Sequence, residues 1–293
     1  MEWPTPSKNA LVGHYYYPCF PPPSGCALQI YLLSIHQLRV GVTIEMPDEH
    51  IANISDFLNL WRIETERGAG SAWFRGQADA TWGLLPGFFR KEHASSETTL
   101  MNRFRQSAAM LTEGPPRNSF DWMFLMQHYG IKTRLLDWSE SPLVALYFAV
   151  IDFERHADAD AALWCLWPTS LNLNANIVDK IEGDYIPSFE DEELASYSTE
   201  SVRSNSRLEL FPVATIATRN NARIQAQMGT FTIHHNKRVA IEEVGDRSHV
   251  KKFVIPCDAR ETVLKDLRLL GFNRFSLFPE LASVGDALKE LMK

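Results

Sequence analysis

The stretch Gln127-His-Tyr-Gly-Ile-Lys-Thr-Arg-Leu-Leu-Asp-Trp138, followed by the apolar run from Ser141 to Phe153, decides how this chain is read. It sets His128, Tyr129, Thr133, Arg134 and Asp137 at the mouth of a segment apolar enough to be buried. Polar groups in that position must satisfy one another or meet a ligand. Ser141-Pro142 has the N-cap and first-turn pattern of a helix start, so the apolar run predicts a core helix. Upstream, Ser119 to His128 carries Trp122, Phe124, Leu125 and Met126 and predicts a second helix, with Gly130 as the left-handed residue beyond its end.

Two further polar clusters lie at a distance. Trp73-Phe-Arg-Gly-Gln77 falls on a strand predicted over 72–75 that ends in a turn at Gly76. Arg223-Ile-Gln-Ala-Gln227-Met-Gly229-Thr-Phe231 lies far downstream. Each joins polar groups to a glycine or an apolar anchor, and together they predict one cleft shared by Arg75, Thr133 and Gln227.

Around these clusters the patterning predicts strands at 27–33 and 38–44, then a helix capped by Ser55, with Phe57, Leu58 and Trp61 inward and Gly68 and Gly70 beyond it. An extended segment over 82–86 and a helix over 97–111 follow. A buried strand is expected at 161–167, and further strands at 208–216, 230–234 and 253–256. Asp258-Ala-Arg-Glu261 has the form of a capping box for a helix through Val263, Leu264, Leu267 and Leu270, and 280–292 reads as a closing helix. Residues 172–210, rich in acids such as Glu190-Asp191-Glu192-Glu193, read as a helical-hairpin insertion or lid. Strands and helices follow one another without β-α-β alternation. The expected class is therefore α+β, with mixed, mostly antiparallel sheets and flanking helices.

Of 293 residues, 45% are hydrophobic and 22% charged, the balance of an ordinary globular chain. A net charge of −7 gives no bulk attraction to nucleic acid or an anionic membrane. Lys237-Arg238 and the basic stretch 247–252 read first as solvated surface. Cysteines at 19, 26, 165 and 257 have no CxxC spacing and read as reduced thiols in a cytoplasmic protein. No HExxH or similar motif occurs, so no metal is expected. The broken apolar pattern near the N-terminus predicts neither a secretory signal nor a membrane span.

The run Phe74-Arg75-Gly76-Gln77, the run His128-Tyr129-Gly130…Thr133-Arg134-Leu135-Leu136-Asp137-Trp138…Ser141-Pro142-Leu143, and Arg223…Gln227-Met228-Gly229…Phe231 together resemble the FRG-domain family. Residues 270–281 look like that family's usual end. The resemblance implies an FRG domain over 55–293, preceded by an extension over 1–54. FRG domains are in turn similar in layout to ADP-ribosyltransferases, which implies an ADP-ribosyltransferase-like core. It also implies NAD as substrate, and a bacterial toxin or phage-defence effector that modifies nucleic acid or protein and is held by an antitoxin-like partner. In that superfamily an early strand Arg or His binds NAD and a late strand brings a catalytic Glu. Arg75 matches the first position and Thr133 a polar position between them. Gln225 or Gln227 stands at the last, where neither is a carboxylate.

By this reading Arg75, beside Gly76, grips phosphate, ribose or carboxamide through a two-pronged contact. Gln77, His128, Tyr129, Thr133 and Arg134 complete the cofactor pocket, with Trp73 or Phe148 as alternative stacking rings. Asp137, or more weakly Glu140, is the carboxylate that offsets the positive transition state of nicotinamide–ribose cleavage. The Gln227 amide orients a hydroxyl. Each has a plainer reading: Arg134 and Asp137 pair with each other, His128 caps its helix, and the aromatics are core. A non-catalytic module that binds a nucleotide or a partner in the same pocket is the alternative function.

Overall fold

The computed structural model describes residues 49–66, 70–93, 95–112, 114, 116–178, 185–216, 221–290 and 292. The strands expected at 27–33 and 38–44, and Gly68, lie outside these. Residues 47–293 form one compact unit.

Seven strands, β1 (Glu49–His50), β2 (Trp73–Gln77), β3 (Leu135–Ser139), β4 (Ala161–Leu166), β5 (Val213–Thr215), β6 (Gly229–Ile233) and β7 (Val250–Ile255), build one sheet in the order β1-β7-β4-β2-β3-β6-β5. Every pairing is antiparallel except β1 with β7. The helices are α1 (Ile54–Glu66), α2 (Glu97–Ala108), α3 (Ser119–His128), α4 (Pro142–Val150), α5 (Pro168–Asn174) and α6 (Thr199–Ser204). They continue with α7 (Ala222–Ala226), α8 (Arg260–Leu269), α9 (Arg274–Leu277) and α10 (Leu281–Glu290). The fold is α+β, a mixed and mostly antiparallel sheet flanked by helices.

Helix α4 is the pivot. Its sequence is apolar all round, so no stripe is left for water. It packs on β2 and against α8, with Leu146, Ala149 and Val150 fully buried. Ser141 caps it by accepting from the Val144 amide, and Pro142 opens its first turn, as the sequence predicts. Phe57 of α1 meets Phe74 and Phe253 edge-on at 6.3 and 5.9 Å, joining α1 to the same core.

A second core lies under α2 and α3, where Met101, Met123 and Met126 pack with Leu135, Phe231 and Ile233. It also takes in Phe189, Leu194 and Tyr197 from the acidic segment. That segment is therefore not a lid: its apolar residues, interleaved with the acids, are anchored in the core. Nor is it a helical hairpin among its described residues, which hold the end of α5, a 3-10 turn over Glu192–Tyr197 and α6.

Other local expectations change as well. Asn53, not Ser55, caps α1, its Oδ1 accepting from the Asp56 amide at 2.9 Å. Residues 82–86 form no strand, and α8 has Ala259 at its N-cap, without a side-chain cap. Strand β2 runs straight through Gly76 instead of turning there. The missing side chain serves close packing, because a Cβ at Gly76 would lie 1.9 Å from the Ala145 carbonyl oxygen of α4. No helix among the described residues is long and apolar enough to cross a membrane.

Candidate functional site

The sheet opens between β2 and β3. Strand β2 pairs with β4 from Trp73 to Gln77, and β3 pairs with β6 from Leu135 to Ser139. Between β2 and β3 the register holds only at Phe74 and Ser139. Continued, it would set Gly76 opposite Asp137. Instead the Arg75 side chain spans the gap, its Nη1 donating to the Asp137 carbonyl oxygen at 2.6 Å. A cleft of about 670 Å³ forms at this opening, within the range of small-molecule sites.

Arg75 lines the cleft half-buried. Its Nε is shut off from solvent and has no hydrogen-bond partner, an open donor in a place where such groups are rare. Burial lowers its proton affinity below the ordinary guanidinium value, the Asp137 carboxylate opposes that shift, and the charge of Arg90 adds to it. A guanidinium remains cationic at neutral pH all the same.

Asp137 is exposed on β3 and lines the same cleft. Its carboxylate is aimed by a relay. The Thr133 hydroxyl donates to Gln127 Oε1, and Gln127 Nε2 donates to Asp137 Oδ1 at 2.7 Å. Thr133 also accepts from the Leu135 amide. It is buried and does not line the cleft, so it acts on the site through Gln127. Gln127 stands at the head of the same stretch as Thr133 and Asp137, yet nothing in the sequence distinguishes it from a helix-surface glutamine.

Arg134 is elsewhere. It lies 2% exposed, with Nε 2.8 Å from Glu97 Oε2, Nη1 donating to the His234 carbonyl and Nη2 to that of Tyr197. It therefore ties α2, β6 and the acidic segment together, and its carboxylate partner is Glu97 rather than Asp137. Tyr129 is 69% exposed and outside the cleft, whereas His128 beside it lines the wall. Gln77 lines the cleft too, but its amide is engaged inward, accepting from Trp164 Nε1 at 2.9 Å and donating to the Gly83 carbonyl. Trp73 is core, and Phe148 is a wall residue packed edge-on against Phe278 at 5.8 Å.

The downstream cluster closes the opposite wall. Gln227 reaches the cleft, but its carbonyl accepts from Ser139 Oγ at 2.7 Å and its side-chain amide donates to the Leu277 carbonyl. Arg223 of the same cluster lines the cleft with its guanidinium 4.6 Å from the centre of the Phe278 ring. Sequence reasoning passes over Arg90, Trp82, Phe124 and Arg117, which also line it. All four are single residues in loops or on helix faces, without a motif around them.

Residues 70–158 match the model of the FRG domain. The chain carries an FRG domain. The matched segment spans less than half of the chain and brings Arg75, Gln127, His128 and Asp137 to the cleft, while Arg223 and Gln227 lie beyond it. No curated protein and no solved structure matches the chain. Within the FRG domain, the Arg-Gly pair thus has two duties: Gly76 lets α4 approach the sheet, and Arg75 faces the opening between β2 and β3.

Proposed function

We propose that the cleft binds NAD and that the protein is an ADP-ribosyltransferase, its split sheet being an ADP-ribosyltransferase-like core. The observation that carries this reading is the meeting of Arg75 and Asp137 where β2 and β3 part. A cation placed there receives a phosphate or a carboxamide. A solvent-reached carboxylate, held by Gln127, offsets the charge that builds on the ribose as its bond to nicotinamide breaks. In that step the bonding pair leaves with the pyridinium nitrogen. The acceptor then attacks the ribose carbon and gives up its proton. The role belongs to a toxin or phage-defence effector with a nucleic-acid or protein acceptor and an antitoxin-like partner.

One observation favours the alternative of a non-catalytic nucleotide-binding module: the Gln227 amide is tied to the Leu277 carbonyl and is not a carboxylate. Incubation of the protein with labelled NAD and whole-cell extract, followed by separate protease and nuclease digestion, separates the two. The transferase reading expects label in a macromolecular fraction that one of the digestions removes. Label in neither fraction supports the binding module.

A further inference from the structure

We propose that Arg90 and Arg75 together form a subsite for the pyrophosphate of the bound nucleotide. The identity of that ligand rests on the reading above, but the subsite is argued from its own geometry. Both residues line the cleft, one from β2 and the other from the loop before α2. Among the described residues, no carboxylate lies within ion-pair distance of either guanidinium, whereas Arg134 has Glu97 and Arg117 has Glu190. Two like charges share one concave site. Burial, with a smaller contribution from the charge of Arg90, lowers the proton affinity of Arg75, and the Asp137 carboxylate acts against that lowering.

Arg90 is also held in place. Its Nε donates to the Leu85 carbonyl at 2.8 Å, and its guanidinium lies 6.0 Å from the centre of the Trp82 ring. Trp82 itself meets His156 edge-on at 5.4 Å. The Nε bond consumes one donor and fixes the fork, leaving the terminal nitrogens for a ligand. Arg75 is similarly committed at Nη1 and open at Nε. Two forks, each part-used by main-chain carbonyls, suit a diphosphate with oxygens on two phosphorus atoms better than a single carboxylate.

Calorimetric titration with inorganic pyrophosphate tests this on the full chain, using wild type, Arg75→Ala, Arg90→Ala, Arg90→Lys and Lys265→Ala. Lys265 is an exposed cation on α8 outside the cleft and serves as the control. Loss of either arginine should weaken binding by roughly tenfold or more, the size of one charge-assisted hydrogen bond. Arg90→Lys should be intermediate, and it carries the test if Arg90→Ala does not fold. Lys265→Ala should match wild type. Pyrophosphate that fails to bind wild type, or binds Arg90→Ala and Arg90→Lys as tightly, overturns the subsite. NAD binding and nicotinamide release that are equal in wild type and Arg90→Ala leave the transferase reading standing while this proposal falls. Arg90-dependent pyrophosphate binding without NAD binding does the reverse.

Discussion

Replacement of Gly76 by alanine perturbs the fold at the point where the cleft depends on it. The added Cβ would sit 1.9 Å from the Ala145 carbonyl oxygen and 2.5 Å from the Ala149 amide nitrogen, both backbone atoms of α4. Ordinary contact between such atoms is about 3.5 Å, so helix and strand must separate by roughly 1.5 Å. Neither can yield by a side-chain rotation. Helix α4 is packed on β2 and against α8 with most of its residues buried, and β2 is the middle strand of the sheet. Inserting one methylene into a packed core costs about 1–3 kcal/mol, and an obstruction made of backbone belongs at the top of that range or above it. For a domain of this size, ~3 kcal/mol corresponds to a fall in Tm of roughly 6–12 °C. Thermal melts of Gly76→Ala beside Gly70→Ala provide the assay, because a Cβ at Gly70 meets nothing within 4 Å. A Gly76→Ala protein that melts with wild type would refute the reasoning that glycine is here for helix approach.

Glu97→Gln should destabilise the protein by about 3 kcal/mol in urea titration, since it leaves the buried Arg134 charge without its counterpart; a change within error would show that the main-chain carbonyls suffice. Burial pushes His234 from 6.5 down to about 3, so the folded state resists a proton that the unfolded state accepts. Its contribution is whole above pH 6.5 and is lost as pH falls from there toward 3. Urea melts across that range should show declining stability, with a flatter slope in His234→Gln. Thr133→Val should slow nicotinamide release by roughly tenfold while leaving NAD affinity unchanged, because only the aim of Asp137 is lost. An equal loss of affinity would place Thr133 in ligand binding instead.

The parts of this fold legible in the sequence are those whose signals are local. Ser141-Pro142 marks the start of α4, and Gly130, with φ of 79°, ends α3 where expected. The strand expected at 230–234 is β6, over Gly229–Ile233. Pairings across long separations are not legible: Arg134 finds Glu97 of α2 rather than nearby Asp137, whose carboxylate is held by Gln127 instead. Gly76 reads as a turn because its reason lies in a helix distant in sequence. At the site, the polar clusters point to Arg75 and Asp137. Arg90 becomes visible only when the loop before α2 is brought to the cleft. The acidic segment misleads because its composition outweighs the few residues, Phe189, Leu194 and Tyr197, that fix it.

The most direct measurement of the central claim is nicotinamide release set beside calorimetric NAD binding for wild type, Arg75→Ala and Asp137→Asn. Wild type should bind NAD and release nicotinamide. Arg75→Ala should lose binding by roughly tenfold or more as its charge-assisted contacts disappear. Asp137→Asn should keep binding and lose turnover, because its charge acts on the transition state alone. NAD binding and release unchanged in Arg75→Ala, in a protein that remains folded, would contradict the account.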